Sequence, residues 1–86
     1  MAHRVSKPTT AYVLIHCETG TQTVVIDELR IIPQIVEAYE IYGSIYDIIA
    51  KVTANNEDKL KEVIRKSIRR IEKIRSTQTM MVVMTI

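Results

Sequence analysis

The sequence predicts an α+β fold of the ferredoxin-like βαββαβ type. In it a four-stranded antiparallel sheet carries two helices on one face and dimerises through the other into an α+β barrel or sandwich. Three observations predict this fold. Four short runs rich in β-branched residues and two amphipathic segments follow one another in that order. Only two glycines, Gly20 and Gly43, punctuate the chain, so its connections are short. The strands are apolar on both parities, and two helices can cover only one face of a sheet.

Residues 1–10 (MAHRVSKPTT) are polar and read as a flexible tail before a domain spanning 11–86; lacking an apolar core, they are no signal peptide. Ala11 to Cys17 (AYVLIHC) is β-branched and apolar after a Pro-Thr-Thr breaker, hence a strand. Thr21 to Ile32 mixes signals. TQTVVI has strand propensity, but Val25, Leu29 and Ile32 recur at helical spacing. Thr21 as a cap and Pro33 as a stop favour a helix. Ile35 to Tyr42 and Ile45 to Val52 form a hairpin across Gly43. Asn55 opens the start signal of a helix over 56–73, with Glu57 and Asp58 facing the positive end of its dipole. Leu60, Val63, Ile64, Ile68 and Ile71 make its apolar stripe, opposite a face of Lys and Arg. Thr77 to Ile86 (TQTMMVVMTI) is the last strand.

Length and composition narrow the function. Eighty-six residues, 47% of them apolar, make one folded domain rather than a disordered tail. No run approaches the roughly 20 apolar residues of a membrane span, so no membrane role is expected. A single cysteine, Cys17, excludes an internal disulfide and suits a reducing cytoplasm. A domain this small buries only about 60% of its unfolded surface, so self-association is a source of stability. Tyr12 to Ile15, Ile48 to Ala50 and Met80 to Met84 are apolar on both parities, and a second copy packed sheet to sheet is the economical cover.

Catalytic chemistry is sparse. His16 and Cys17 are strand neighbours that point to opposite faces, so they cannot form a nucleophile–base pair. Cys17 reads as a small buried hydrophobe, and His16 as an interface or rim residue with no second ligand at metal spacing. No phosphate-binding glycine loop, paired carboxylates or cofactor motif is present, so no cofactor or metal is expected. Net charge is only +2, but residues 57–75 hold eight cations against four carboxylates, leaving the rest of the chain at net −2. That basic helix has no aromatic residue to stack on bases, and its plainer reading is a solvated face with neighbours such as Glu62 and Lys66 paired.

The hairpin tip Tyr42-Gly43-Ser44-Ile45-Tyr46-Asp47 offers more. Gly43 permits positive φ and exposes amides that hold a carboxylate, Asp47 accepts from an ammonium, and Ser76, Thr77 and Thr79 supply hydroxyls. Together these suit an α-amino acid. The plainer reading stands beside it: a turn glycine, an aspartate tying down a hairpin, and strand-forming threonines.

The residues from Ala11 onward resemble the effector domain of the leucine-responsive regulator/AsnC family, the feast/famine regulators. The resemblance rests on AYVLI in the first strand, Ile31-Ile32-Pro33, and Val36-x-x-Tyr39-x-Ile41-x-Gly43 running into Tyr46-Asp47. Lys51-Val52 and Ile74-Arg75-Ser76-Thr77-x-Thr79 also match. It implies a dimer joined by its sheets, assembly into tetramers, octamers or larger rings, and an effector, usually an amino acid, bound near the hairpin tip where dimers meet. Residue by residue, it implies ligand contacts at Gly43, Tyr46 and Asp47 with Thr77 and Thr79 beside them; Ser44 and Ile45 share the tip without matching the family. Two residues, Ser44 and Ile45, stand where the family usually has one, which predicts a bulge in the hairpin. Glu72-Lys73 replaces the Pro-Gly often seen before the last strand.

Ten residues before the domain are too few for the helix-turn-helix that family members usually carry, so a stand-alone module without direct DNA binding is expected. The expected function is sensing of a small molecule and indirect action on transcription or metabolism, with a full-length related regulator as a further partner. Two rivals stay open. One is a small α+β barrel enzyme with His16 or Tyr46 in a pocket between sheet and helices; the other is a purely structural assembly domain.

Overall fold

The structure, a computed structural model of the chain, describes residues 8–83. Its elements run β1 (Thr9–Cys17), α1 (Gln22–Arg30), β2 (Ile35–Glu40), β3 (Ile48–Ala54), α2 (Glu57–Val63), a π-helical turn (Ile64–Ile68) and β4 (Ile74–Met81). The strands form one antiparallel sheet in the order β2-β3-β1-β4, the ferredoxin-like arrangement the sequence predicts. His3 and the last three residues of the expected final strand lie outside the described residues.

β1 and β3 are the two inner strands, and β1 is apolar without a break from Ala11 to Ile15. Ala11, Val13, Ile15 and Cys17 are buried on one face, while Tyr12 and Leu14 are half-buried and His16 exposed on the other. The buried set packs with Val25 and Leu29 of α1, Leu60 and Val63 of α2, and Ile64 and Ile68 of the π-helical turn in a single core. Both helices therefore cover the same face. Cys17 is 1% exposed, and burial pushes its thiol above the ordinary range. A disulfide reagent such as DTNB should therefore label native protein at least ten-fold more slowly than urea-unfolded protein; equal rates would show that the thiol is accessible.

The first helix forms, but Thr21 does not cap it with its side chain. Its backbone (φ −106°, ψ 8°) is not extended as a capping residue's usually is, and its hydroxyl donates to the Glu18 carbonyl at 2.6 Å. That bond closes the turn in which Gly20 holds φ 83°. The second helix starts one residue later than the sequence suggests. The Asn56 side chain accepts from the Lys59 amide at 2.8 Å, a cap worth about 1 kcal/mol. Glu62 on its outer face accepts from Lys66 and Lys59, which together hold its carboxyl below the usual range.

This helix does not continue to residue 73. After Val63 the ladder widens, Arg69 N donates to Ile64 O at 3.0 Å, and the chain turns into β4 at Ile74. The wider turn keeps Ile64, Ile68 and Ile71 all against the sheet, so the predicted stripe is buried in full even though the helix is not regular. β4 accordingly begins three residues before the expected Thr77.

The hairpin differs most from expectation. β2 ends at Glu40 instead of Tyr42, and β3 begins at Ile48 instead of Ile45. Asp47 is the reason. Its carbonyl accepts from Ile41 N (2.8 Å), while its own amide donates to Ile15 O (2.8 Å). Asp47 thus joins the end of β1, leaving 42–46 as an open tip. The register shift within the β2–β3 pair falls between Ile35 and Glu37, at the far end from the tip, where the sequence predicted a bulge.

Candidate functional site

Strand register assigns residues to the sheet face that the helices leave uncovered. Tyr12, Leu14 and His16 of β1 stand there with Lys51 and Ile49 of β3, Tyr39 of β2, and Met80, Gln78 and Ser76 of β4. Leu14 and Ile49 are direct partners at its centre, flanked by the aromatic ring of Tyr12 and the thioether of Met80. Glu37, Lys51, Gln78 and Ser76 bring polarity toward its edges. Tyr39 donates to the Glu37 carboxylate at 2.8 Å, which raises its phenol above the ordinary range. Among the described residues no helix or strand covers this face, although Tyr46 of the tip reaches Gln78 on it; its centre, Leu14 and Ile49, is apolar.

At one end of the sheet the open tip forms a shallow cleft of about 680 Å³. Gly43, Ser44, Ile45, Tyr46 and Asp47 line it, together with Gln22, Glu40, Ile41 and Tyr42. Gly43 holds φ 98°, a region that glycine enters without strain. Tyr42 (103%) and Ile45 (79%) are exposed to solvent. Ser44 Oγ accepts from Tyr46 N at 3.1 Å, and the Tyr46 hydroxyl donates across the sheet to Gln78 Oε1 at 3.0 Å. One oxygen of Asp47, Oδ2, accepts from Cys17 N at 2.9 Å and lies 3.1 Å from His16 Nδ1. The cleft therefore offers two carboxylates as acceptors, and a glutamine amide and a serine hydroxyl as donors.

Five of the seven sequence-predicted site residues meet in this cleft. Thr77 and Thr79 do not. They pair with Ile15 and Val13, so they sit on the helix side of the sheet, and Gln78 between them is the residue that meets Tyr46. Sequence reasoning missed Gln22, Glu40, and the link from Asp47 to His16. Strand alternation carries a signal for Gln78, since it must face opposite to both threonines. The contribution of Gln22 from the first turn of α1 depends on tertiary folding and leaves no local trace.

The enzyme rival needs His16 or Tyr46 between sheet and helices. Both lie elsewhere, and no polar or charged side chain among the described residues is buried in that layer. Among the described residues there is also no group of three His, Cys, Asp or Glu side chains able to hold a metal ion, and no helix long and apolar enough to cross a membrane.

Comparison with known proteins gives a consistent picture. The family model of the Lrp/AsnC ligand binding domain matches residues 10–86. No curated protein matches the sequence significantly. Among solved structures, FFRP-DM1 is 33% identical, with 87% of this chain and 99% of that one covered and a TM-score of 0.82. The hypothetical protein PHS023 from Pyrococcus horikoshii is 32% identical over 90% of this chain and 92% of its own, with a TM-score of 0.82. AsnC of E. coli is 26% identical with a TM-score of 0.84; 90% of this chain matches 52% of AsnC, so the chain spans about half of that regulator's length.

Proposed function

Because the chain belongs to the family of Lrp/AsnC ligand-binding domains, we propose that it is an effector-binding and self-assembly module that takes an α-amino acid at the hairpin tip and pairs with a second copy through the open sheet face. It acts on transcription or metabolism indirectly, through co-assembly with regulators of the same family, and catalyses no reaction. The observation that carries this reading is the cleft at the tip, where the Glu40 and Asp47 carboxylates stand within one concavity beside the Gln22 amide, Ser44 and the Gly43 turn. An amino acid needs acceptors for its ammonium end and donors for its carboxylate end, and this set supplies both.

Two further observations support it. A transcriptional regulator from Neisseria meningitidis with the same fold (TM-score 0.82, 10% identity) forms a complex with L-Met. The open face is apolar at its centre and polar toward its edges, which is the anatomy of a surface that pairs.

Thermal unfolding against each common amino acid in turn tests the ligand. A ligand at about 100 times its Kd adds roughly 2.7 kcal/mol, several degrees in a domain of this size. One or two selective amino acids should give that shift. Asp47→Asn should abolish it, because the amide oxygen still accepts from Cys17 N but no longer pairs with an ammonium. No shift with any amino acid would sink the sensor reading and leave an assembly domain.

A further inference from the structure

One side chain joins the cleft to the open sheet face. Asp47 lines the cleft, and the same Oδ2 that accepts from the Cys17 amide is 3.1 Å from His16 Nδ1. A carboxylate only accepts, so Nδ1 carries the hydrogen, in the neutral ring or in the imidazolium. The His16 side chain is about half exposed (47%) and stands on the open face with Ser76 as its register partner. It is not needed to hold the loop, because Asp47 keeps its backbone bonds to Ile41 and Ile15 and the bond from the Cys17 amide whatever His16 does.

We infer that His16 makes ligand binding at this cleft proton-linked: the ammonium of an α-amino acid and the His16 imidazolium compete for the Asp47 carboxylate, so binding expels a proton from His16. The inference rests on the amino-acid reading above. Two unit cations on one carboxylate repel strongly enough at a protein surface to shift the titration of either. The surrounding groups leave this competition in place. Arg75 is held by Glu18 at 2.9 Å, Cys17 stays a neutral thiol, Tyr46 is engaged with Gln78, and Ser76 is uncharged. Glu40 is the other carboxylate of the cleft and attracts either cation alike. Histidine side chains change charge between about pH 5 and 8, while a free amino acid keeps its ammonium throughout that range. The charged ring sets a second cation beside the carboxylate that the ammonium needs, and the neutral ring does not.

The amino acid that binds tightest in the thermal screen is titrated by calorimetry at about pH 5.5 and about pH 8, either side of the histidine range. Wild type should bind about 5- to 100-fold more weakly at the lower pH, the usual size of a coupling between two sites. His16→Gln should bind with little dependence on pH. In wild type the imidazole proton resonance of His16 should titrate at lower pH once ligand is added, a readout that needs no variant. Equal wild-type affinity at the two pH values, or an unaltered pH profile in His16→Gln, would overturn the linkage and leave the amino-acid site standing. No binding of any amino acid at either pH would overturn both.

Discussion

A chain carrying Ile15→Ala should unfold at much lower urea, having lost about 2–5 kcal/mol of a total of about 5–15 kcal/mol. Ile15 is fully buried, and Ile48 and Thr77 are its register partners on either side. Its truncation leaves a cavity where the central strand meets the helix layer, and strand backbones held on both sides collapse poorly into such a space. The slope of the urea transition should stay the same, because the surface exposed on unfolding barely changes. Ile31→Ala makes the matched control. Ile31 is 79% exposed, and its loss should fall within about 0.5 kcal/mol. If the two variants lose equal stability, the core does not sit where the register puts it.

Leu14→Asp should leave the domain folded and break it into single chains. Adjacent strand residues point to opposite faces, so Leu14, one position from Ile15, lies at the centre of the uncovered face opposite Ile49. In a two-fold pairing of identical faces, each copy would bury a carboxylate without a partner. That situation typically costs about 3–5 kcal/mol, a weakening of self-association by more than about a hundred-fold. Sedimentation velocity at matched concentration reads the change directly, with circular dichroism confirming that the sheet persists. A variant that sediments like wild type would show that the proposed pairing uses another surface.

Side by side, these two positions show what the sequence made legible. The stripe from Leu60 to Ile71 is a local pattern whose period matches the element it forms, and it is buried as read; β1 reads as apolar on both parities, and within the chain only the parity of Ala11, Val13, Ile15 and Cys17 is buried. The departures have non-local causes. Asp47 was read as the charge inside a hairpin strand, yet its amide and carboxylate are claimed by Ile15 and Cys17, some thirty residues earlier, and that claim opens the tip. The π-helical turn falls in a segment with no proline or glycine to announce it; only the demand that Ile64, Ile68 and Ile71 all reach the core explains it. Thr21 has the right residue type for a cap but lies in a turn after Gly20 that directs its hydroxyl backward. At the candidate site, the tip residues were legible as one contiguous motif. Gln22, Glu40 and His16 reach it from other elements, and composition carries no record of that meeting.

The fastening of Asp47 also bears on how this domain varies over evolutionary time. Ile41 and Asp47 clamp the two ends of the tip to each other and to the central strand, so residues 42–46 form a cassette whose length the sheet does not feel. Doubling the length of such a loop costs only about 0.6 kcal/mol of closure entropy. A lineage can therefore insert, delete or exchange tip residues, and so reshape the cleft they line, without renegotiating the fold that carries them.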